Sequence, residues 1–343
     1  MIDELEILDK INRIQKDFYR TKSLTDFKLQ YDALGHLINL YYNLTGERLP
    51  FIVPNINGYL NRNWKNNETL EEYFKNQKEH NELASKVLST FNKSDFDYLY
   101  YIDKFSKISN NKLNELICEF LLSFNPKILT LYEKINRSGM IEYNSKNYGR
   151  NGGATIYDFN EQTYIVMNAA KDISRITPIL HELGHAYAFH MLDNKSKKQK
   201  LKWYATYYEM PSSLMEIALN DFMRKNHILM CDTTLIRNIY LRRIEWYFEK
   251  LKKLNDKSKV DDIRTSFVYS YGYYLSLLIS DKVQEDKDVI LRQFDDYLSY
   301  QGLLNYDEQL ELFGLDRNKL KDMEVLEKRL DEHNDDVKKY VKK

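Results

Sequence analysis

Apolar residues recur at intervals of three and four along most of this 343-residue chain. Leu5, Leu8, Ile11, Ile14 and Phe18 show the pattern first, and this spacing places them on one face of a helix. Glycine and proline, which interrupt helices, number only 11 and 5. Helical patterns also cover residues 34–42, 83–101, 113–124, 235–254 and 263–283. The chain is therefore predicted to be mainly α.

One stretch departs from the helical pattern. Residues 154–157 (ATIY) and 163–167 (TYIVM) are short runs rich in β-branched and aromatic side chains, separated by the mostly polar segment 158–162. Such a pair of runs predicts a β-hairpin. We place a boundary near residue 140, before the hairpin, which divides the chain into lobes over 1–140 and 141–343.

Charge and composition exclude several classes of protein. Lys plus Arg and Asp plus Glu both number 51, so no basic field favours nucleic acid or an anionic membrane surface. No apolar run is long enough to span a membrane, and the first residues lack a signal-peptide pattern. Two cysteines, Cys118 and Cys231, are too few for a disulfide framework. We predict a cytoplasmic protein with no nucleic-acid or membrane partner.

Residues 179–186 (ILHELGHA) contain the pattern H-E-x-x-H. On a helix, His181 and His185 lie one turn apart on the same face, so both can bind one zinc ion. Glu182 lies about 100° around the helix and can reach a water molecule on the metal, as a general base must. Gly184 is unfavourable inside a helix, which indicates that another backbone approaches closely there. The motif predicts zinc-dependent hydrolysis.

A catalytic zinc site needs a third protein ligand. The segment 208–216 (YEMPSSLME) contains Glu209 and Glu216, which are seven residues apart and can share one side of a helix. Pro211 is best accommodated in a first turn, so the helix is predicted to begin near Met210. At this stage either glutamate is a candidate.

Three motifs in this order resemble the M3 family of zinc metallopeptidases, the group of oligoendopeptidase F and thimet oligopeptidase. They are the hairpin 149–168 (GRNGGATIYDFNEQTYIVMN), the segment 181–186 (HELGHA) and the pattern E-x-P-S-x-x-x-E at 209–216. The resemblance covers residues from about 141 to 285. It implies that Zn²⁺ is bound by His181, His185 and Glu209, that Glu182 is the base, and that Glu216 is a supporting carboxylate behind the ligands.

The family's fold is a mostly helical, zincin-type fold with a small sheet beside the zinc helix and a substrate cleft between lobes. The resemblance therefore makes 141–343 the catalytic lobe, with the C-terminal helices, and 1–140 an N-terminal helical lobe. It also implies that an extended peptide pairs with the hairpin's edge, near Gly152, Gly153 and Ala154.

The family uses tyrosines on a later segment to stabilise the oxyanion, and residues 267–276 (FVYSYGYYLS) are similar to that segment. Tyr269 and Tyr271 are the leading pair, with Tyr273 or Tyr274 as substitutes near the substrate. Family members also carry a histidine shortly before these tyrosines. This chain has none between His227 and His333, and Arg264 is a candidate replacement.

Together these features predict a zinc-dependent metalloendopeptidase that hydrolyses short, extended peptides with a zinc-activated water. Two alternatives stay open: a dedicated peptidase that matures one leader or signalling peptide, and a catalytically silent zincin that only binds peptides. The sequence leaves the physiological substrate, the cleavage preference and the oligomeric state undetermined, with a monomer favoured.

Overall fold

The computed structural model describes residues 4–18, 24–46, 75–96, 99, 105–145, 152–157, 163–191, 209–254, 258, 260–300, 304 and 306–342. The chain begins with two helices that pack against each other, α1 (Glu4–Phe18) and α2 (Leu24–Thr45). Their buried side chains, among them Ile7, Leu34 and Tyr41, form a small apolar cluster. The predicted amphipathic helix at the start of the chain is confirmed.

Helices make up most of the rest of the described chain, which confirms the mainly α prediction. They are α3 (Gln77–Lys93), α4 (Asn110–Phe124), α5 (Pro126–Arg137), α6 (Ile176–Met191), α7 (Met210–Lys225), α8 (Met230–Lys252), α9 (Val260–Glu285), α10 (Lys287–Tyr300), α11 (Tyr306–Glu311) and α12 (Glu324–Asp336). Short helical turns add Ile173–Arg175, Lys319–Lys321 and Val337–Val341. Within the described residues, no helix has both the length and the apolar composition to cross a bilayer.

The helix predicted over 83–101 is wrong at its C-terminal end. Helix α3 ends at Lys93, and Ser94 caps it by donating its backbone N–H to the Thr90 carbonyl. Asp95 then takes a left-handed backbone conformation with φ 48°. Aspartate tolerates the left-handed region better than most residues. A residue in that conformation cannot continue a right-handed helix, so α3 does not extend through Asp95. The apolar residues beyond it, such as Phe96, are buried without being helical.

Three strands form one small sheet in the order β1-β3-β2. Strands β2 (Gly153–Tyr157) and β3 (Thr163–Met167) pair antiparallel, which confirms the predicted hairpin. Strand β1 (Ile141–Glu142) pairs parallel to β3 and was not predicted, because two residues are too few to show alternation. Among the described residues, β2 is an outer strand of the sheet.

The two faces of the sheet contact different helices because side chains alternate along a strand. Tyr164 and Val166 of β3 belong to the cluster formed by α1 and α2. Ile165 and Met167 belong to the main core, which contains the apolar residues of α6. The sheet therefore separates the first two helices from α6. The main core runs continuously from α3 to the turn after α12, and the division near residue 140 stays a prediction.

Two glycines allow the helices of the core to approach closely. A Cβ atom on Gly184 of α6 would lie 2.6 Å from Ser212 Cα and 2.7 Å from the Pro211 carbonyl oxygen at the start of α7. A Cβ atom on Gly272 of α9 would lie 2.7 Å from Glu209 Cβ. All three distances are shorter than real Cβ contacts. The backbone approach inferred from Gly184 is therefore present, and α7 begins between α6 and α9.

Gly184→Ala is expected to destabilise the protein by about 1–3 kcal/mol, the usual effect of overpacking a core. In an open helix the same change would stabilise by up to about 1 kcal/mol, so the sign itself is informative. Chemical denaturation of the variant measures this difference. Leu122→Ala on α4, at an exposed position, is the matched control and should change stability little. An equal or higher stability of Gly184→Ala would contradict the close approach.

Candidate metal centre

Local sequence sets the start of α6. The Asp172 carboxylate accepts the backbone N–H of Ser174 at 3.0 Å and caps the turn that leads into the helix. Pro178 occupies the first turn, where a missing N–H costs nothing. These two residues favour the start of α6 at this point, and His181 and His185 lie one turn apart on that helix. Both imidazole rings reach the same place, with ring centroids 5.0 Å apart.

Glu209 is the residue immediately before α7, which begins at Met210 as predicted. Its Oε2 lies 3.3 Å from His181 Nε2 and 3.4 Å from His185 Nε2. One ligand atom from each of the three residues lies within 4.8 Å of the others. The Ser212 hydroxyl lies 3.2 Å from the same carboxylate oxygen and helps to orient it. The structure thus brings together the three side chains predicted as metal ligands.

The spacing of these atoms fits a tetrahedral cation. An ion that bonds its ligands at about 2.0–2.1 Å in a tetrahedron separates neighbouring ligand atoms by about 3.3–3.4 Å. The two imidazole–carboxylate distances have these values. Two histidines and one glutamate are also a donor set of catalytic zinc sites, which leave the fourth position to water or substrate. The residues therefore fit Zn²⁺.

The buried histidines and glutamates of the site shift one another's pKa. Burial alone would lower the pKa of His181, but hydrogen bonds to Glu209 and Glu216 outweigh it and raise the pKa to about 10. Burial would likewise raise the pKa of Glu209, yet the nearby His185 and the hydrogen bonds from both histidines hold it well below its usual range. A ligating imidazole must be unprotonated, so His181 would have to lose this proton to hold a cation through Nε2.

Glu216 lies behind His181, where the resemblance placed a supporting carboxylate. Its Oε1 accepts from His181 Nδ1 at 2.6 Å, which directs Nε2 towards Glu209. Arg243 Nη1 donates to both carboxylate oxygens at 3.0 and 2.8 Å, and the Tyr273 hydroxyl donates to Oε1 at 3.0 Å. Burial would raise the pKa of Glu216, but Arg243 and His181 lower it, so the carboxylate stays charged.

Glu182 is buried beside the histidines and bonds to the sheet instead of to the ligand cluster. The Thr155 hydroxyl lies 2.8 Å from Glu182 Oε2 and 2.7 Å from the Glu182 main-chain carbonyl. Within the described part of the chain, Glu182 Oε1 has no hydrogen-bond partner. The carboxylate is therefore adjacent to the metal ligands but is not one of them, as a general base requires.

The four tyrosines predicted on α9 lie on two sides of that helix. Tyr269 is half-buried and lies near Glu209, whose charge, together with burial, raises its pKa well above the usual value, so the phenol keeps its proton. Tyr273 is fully buried and bonds Glu216. Tyr271 lies about 160° from Tyr269 around the helix, and Tyr274 about 140°. The structure does not bring these two to the ligand cluster.

The hydroxyls of Tyr271 and Tyr274 have other partners in the core. A 2.6 Å hydrogen bond joins Tyr271 to Nδ1 of His80 on α3, and Tyr274 donates to the Asp322 carbonyl at 3.0 Å. Of the four tyrosines, Tyr269 is therefore the one that lies near Glu209 and is only half-buried. Arg264 lies on α9, and its side chain is outside the described residues.

The residues predicted near the substrate backbone lie at the start of β2. Gly152 accepts the backbone N–H of Asn168 at 2.9 Å. A Cβ atom on Gly153 would lie 2.8 Å from the Val166 carbonyl oxygen and 3.3 Å from Glu182 Oε1, so this position has no room for a side chain. Ala154 faces the α1–α2 cluster, away from α6. Contact of these residues with a substrate stays a prediction.

Sequence reasoning missed three side chains that complete this region: Thr155, Arg243 and His80. Each bonds a predicted residue from an element distant in sequence, and no local spacing identifies Arg243 or His80. Thr155 carried the one usable signal. It lies two residues after Gly153, and alternation therefore gives both positions the same face of the strand.

The fold and the placement of the motif define a mainly α, zincin-type architecture. Helix α6, which carries the H-E-x-x-H motif, contacts the small sheet and also α7, the helix that begins directly after Glu209. No protein-family model matches the chain, and no curated protein sequence matches it. Solved structures do share the fold.

PZ peptidase A, solved with an inhibitor, has a TM-score of 0.50 and 14% identity over 92% of this chain and 66% of its own. A protein of Bacillus anthracis strain Ames assigned as oligoendopeptidase F has a TM-score of 0.52 and 12% identity over 92% of this chain and 63% of its own. The chain thus spans slightly less than two thirds of each. The resemblance inferred from three motifs is confirmed at the level of the fold.

Proposed function

We propose that this protein is a zinc-dependent peptidase that hydrolyses internal bonds of short, extended peptides. The observation that carries the proposal is the convergence of His181, His185 and Glu209 at tetrahedral distances, with the Glu182 carboxylate beside them. The shared fold with PZ peptidase A and oligoendopeptidase F supports it. A silent, peptide-binding zincin is disfavoured because the three predicted ligands and the predicted base are all present.

His181, His185 and Glu209 would hold the metal. Bound there, Zn²⁺ supplies Lewis-acid chemistry, because it polarises a carbonyl and makes water more acidic. Glu182 accepts the proton of the attacking water and passes it to the amine of the leaving peptide. Tyr269, whose phenol stays protonated, donates a hydrogen bond to the oxyanion that forms on the scissile carbonyl.

The outer strand of the sheet supports an extended substrate. One edge of β2 has no strand partner among the described residues, so a peptide can pair with it as an added strand. Gly153 lies at this strand and directly beside Glu182, so a peptide bound along β2 would pass close to the proposed base. The proposed compartment is the cytoplasm, because two cysteines are too few for the disulfide framework typical of exported proteins.

Removal of the metal is expected to abolish hydrolysis reversibly. Purified protein should contain about one zinc per chain, since one set of ligands is present in the described residues. Cleavage of a peptide library, followed by mass spectrometry, should stop on chelation and return on addition of Zn²⁺. Persistent cleavage in a protein shown to be metal-free would refute the proposal, as would a zinc-loaded protein that cleaves no peptide.

A further inference from the structure

A single threonine hydroxyl bridges the sheet and the proposed base. Thr155 Oγ1 lies 2.8 Å from Glu182 Oε2 and 2.7 Å from the main-chain oxygen of the same residue. Both partners are acceptors when the carboxylate is ionised, and a hydroxyl has one proton to donate. The bond to the charged oxygen is the stronger of the two, so the proton is directed to Oε2.

The position of Thr155 follows from the geometry of β2. Successive side chains point to opposite faces of a strand, and Ala154 packs against the α1–α2 cluster. Gly153 and Thr155 therefore share the face that meets α6. Thr155 reaches one oxygen of the Glu182 carboxylate, and Gly153 leaves the space in which the other oxygen lies, since its own Cβ would be 3.3 Å from Oε1.

We propose that Thr155 is a positioning residue that holds Glu182 by Oε2 and thereby assigns Oε1 as the oxygen that accepts the proton of the attacking water. This inference rests on the proposed peptidase function. A glutamate side chain has three rotatable bonds, and burial alone does not fix the carboxylate plane. A hydrogen bond from the rigid sheet does, because the β-branched threonine has few rotamers available.

Oε1 suits the role assigned to it. Among the described residues no donor satisfies Oε1, whereas Oε2 is occupied by Thr155. Oε1 also lies beside Gly153, on the strand along which we propose that the substrate binds. The base oxygen, the edge strand and the metal ligands then meet in one place, and the hydroxyl of Thr155 stays behind the carboxylate, out of contact with the substrate.

The test compares Thr155→Val, which keeps the shape and removes the hydroxyl, with Thr155→Ser, which keeps the hydroxyl. Thr155→Val is expected to lower kcat by about 10- to 100-fold, part of the about 10²- to 10⁴-fold that a positioned base contributes. KM and zinc content should stay unchanged, and Thr155→Ser should restore kcat to within about threefold of wild type. If Thr155→Val does not fold, Thr155→Ala replaces it in each comparison.

Thr163→Val is the matched control. Thr163 is a buried threonine of the neighbouring strand, and its hydroxyl lies 3.1 Å from Nε2 of His190 on the same helix α6, far from the base. This variant removes an equivalent sheet-to-helix hydrogen bond and should leave kcat unchanged. An equal loss of kcat in Thr163→Val, no loss in Thr155→Val, or no rescue by serine would each overturn the inference.

Crystal structures of the zinc-loaded variants give a readout independent of activity. The Glu182 carboxylate should rotate away from its wild-type position in Thr155→Val and keep it in Thr155→Ser and Thr163→Val. An unmoved carboxylate in Thr155→Val would overturn the positioning role even if kcat had fallen. If the carboxylate is displaced in Thr155→Val but the wild-type protein cleaves no peptide, this inference is retained and the proposed function is removed.

Discussion

Glu182→Gln is expected to lower kcat for peptide hydrolysis by about 10²- to 10⁴-fold, the contribution of a general base, without loss of zinc. The amide has the size of the carboxylate and can still accept the Thr155 hydroxyl through its oxygen. It cannot take a proton from water. Glu182 lies beside His181, His185 and Glu209 but is outside the ligand set, so the metal should be retained.

The measurement pairs steady-state kinetics on a peptide substrate with metal analysis of the same sample. Glu249→Gln on α8 removes an exposed carboxylate that lies 3.6 Å from Lys253 Nζ and serves as the control, with activity near that of wild type. Wild-type kcat in Glu182→Gln would exclude Glu182 as the base. A variant without zinc would show that the carboxylate contributes to metal binding.

Glu209→Gln is expected to weaken zinc binding by more than the loss of a supporting carboxylate does. That loss lowers metal affinity by about 10- to 100-fold. An amide oxygen carries no formal charge and is a poor zinc ligand, which would leave two imidazoles to hold the ion. The negative charge that faces His181 and His185 at 3.3 and 3.4 Å also disappears. Activity should fall with the metal occupancy.

Competition with a chromophoric chelator measures the zinc affinity. Glu216→Gln is the comparison variant, in which a smaller loss of zinc affinity is expected. Glu216 contacts Nδ1 of His181 and is not one of the three predicted ligands. Glu216→Gln should therefore lower the zinc affinity by only about 10- to 100-fold. Equal losses in the two variants would mean that the roles of the two glutamates have been misassigned. Unchanged affinity in Glu209→Gln would remove Glu209 from the ligand set.

The charges of the site explain why its buried glutamates need compensation. Glu182, Glu209 and Glu216 bring three negative charges into a buried region, and burying unpaired carboxylates is strongly unfavourable. Arg243 supplies one positive charge through Glu216, and a divalent cation would supply two, which makes the region neutral. Without a cation, the raised pKa of His181, about 10, leaves a proton on that ring as partial compensation.

Local patterns account for much of the fold. The spacing of apolar residues predicted helix α1, the run-turn-run pattern predicted the β2–β3 hairpin, and Pro211 predicted the start of α7. Each of these signals comes from residues that lie close to one another in the sequence. The end of α3 was missed because Asp95 interrupts a helix while apolar residues continue beyond it. Strand β1 was missed because its two residues are too few to show alternation and its partner β3 is more than twenty residues away.

The tyrosine segment shows the limit of a motif. From the sequence, Tyr269 and Tyr271 were the leading pair and Tyr273 or Tyr274 the substitutes, whereas helical geometry places Tyr269 and Tyr271 on different sides of α9. Which side faces Glu209 depends on Gly272, because its missing side chain lets α9 approach the start of α7. That contact joins residues more than sixty positions apart, and it favours Tyr269 over Tyr271.

The sequence by itself determined the helical class, the hairpin and the identity of the candidate ligands and base, because each is set by spacing within a single element or by a short motif. Only the tertiary structure decided that Glu209 lies between the two histidines, that Arg243 and Tyr273 hold Glu216, and that Thr155 holds Glu182. These contacts depend on how closely α6, α7, α8, α9 and the sheet pack. Packing distance is a property of side chains far apart in sequence, which no local pattern records.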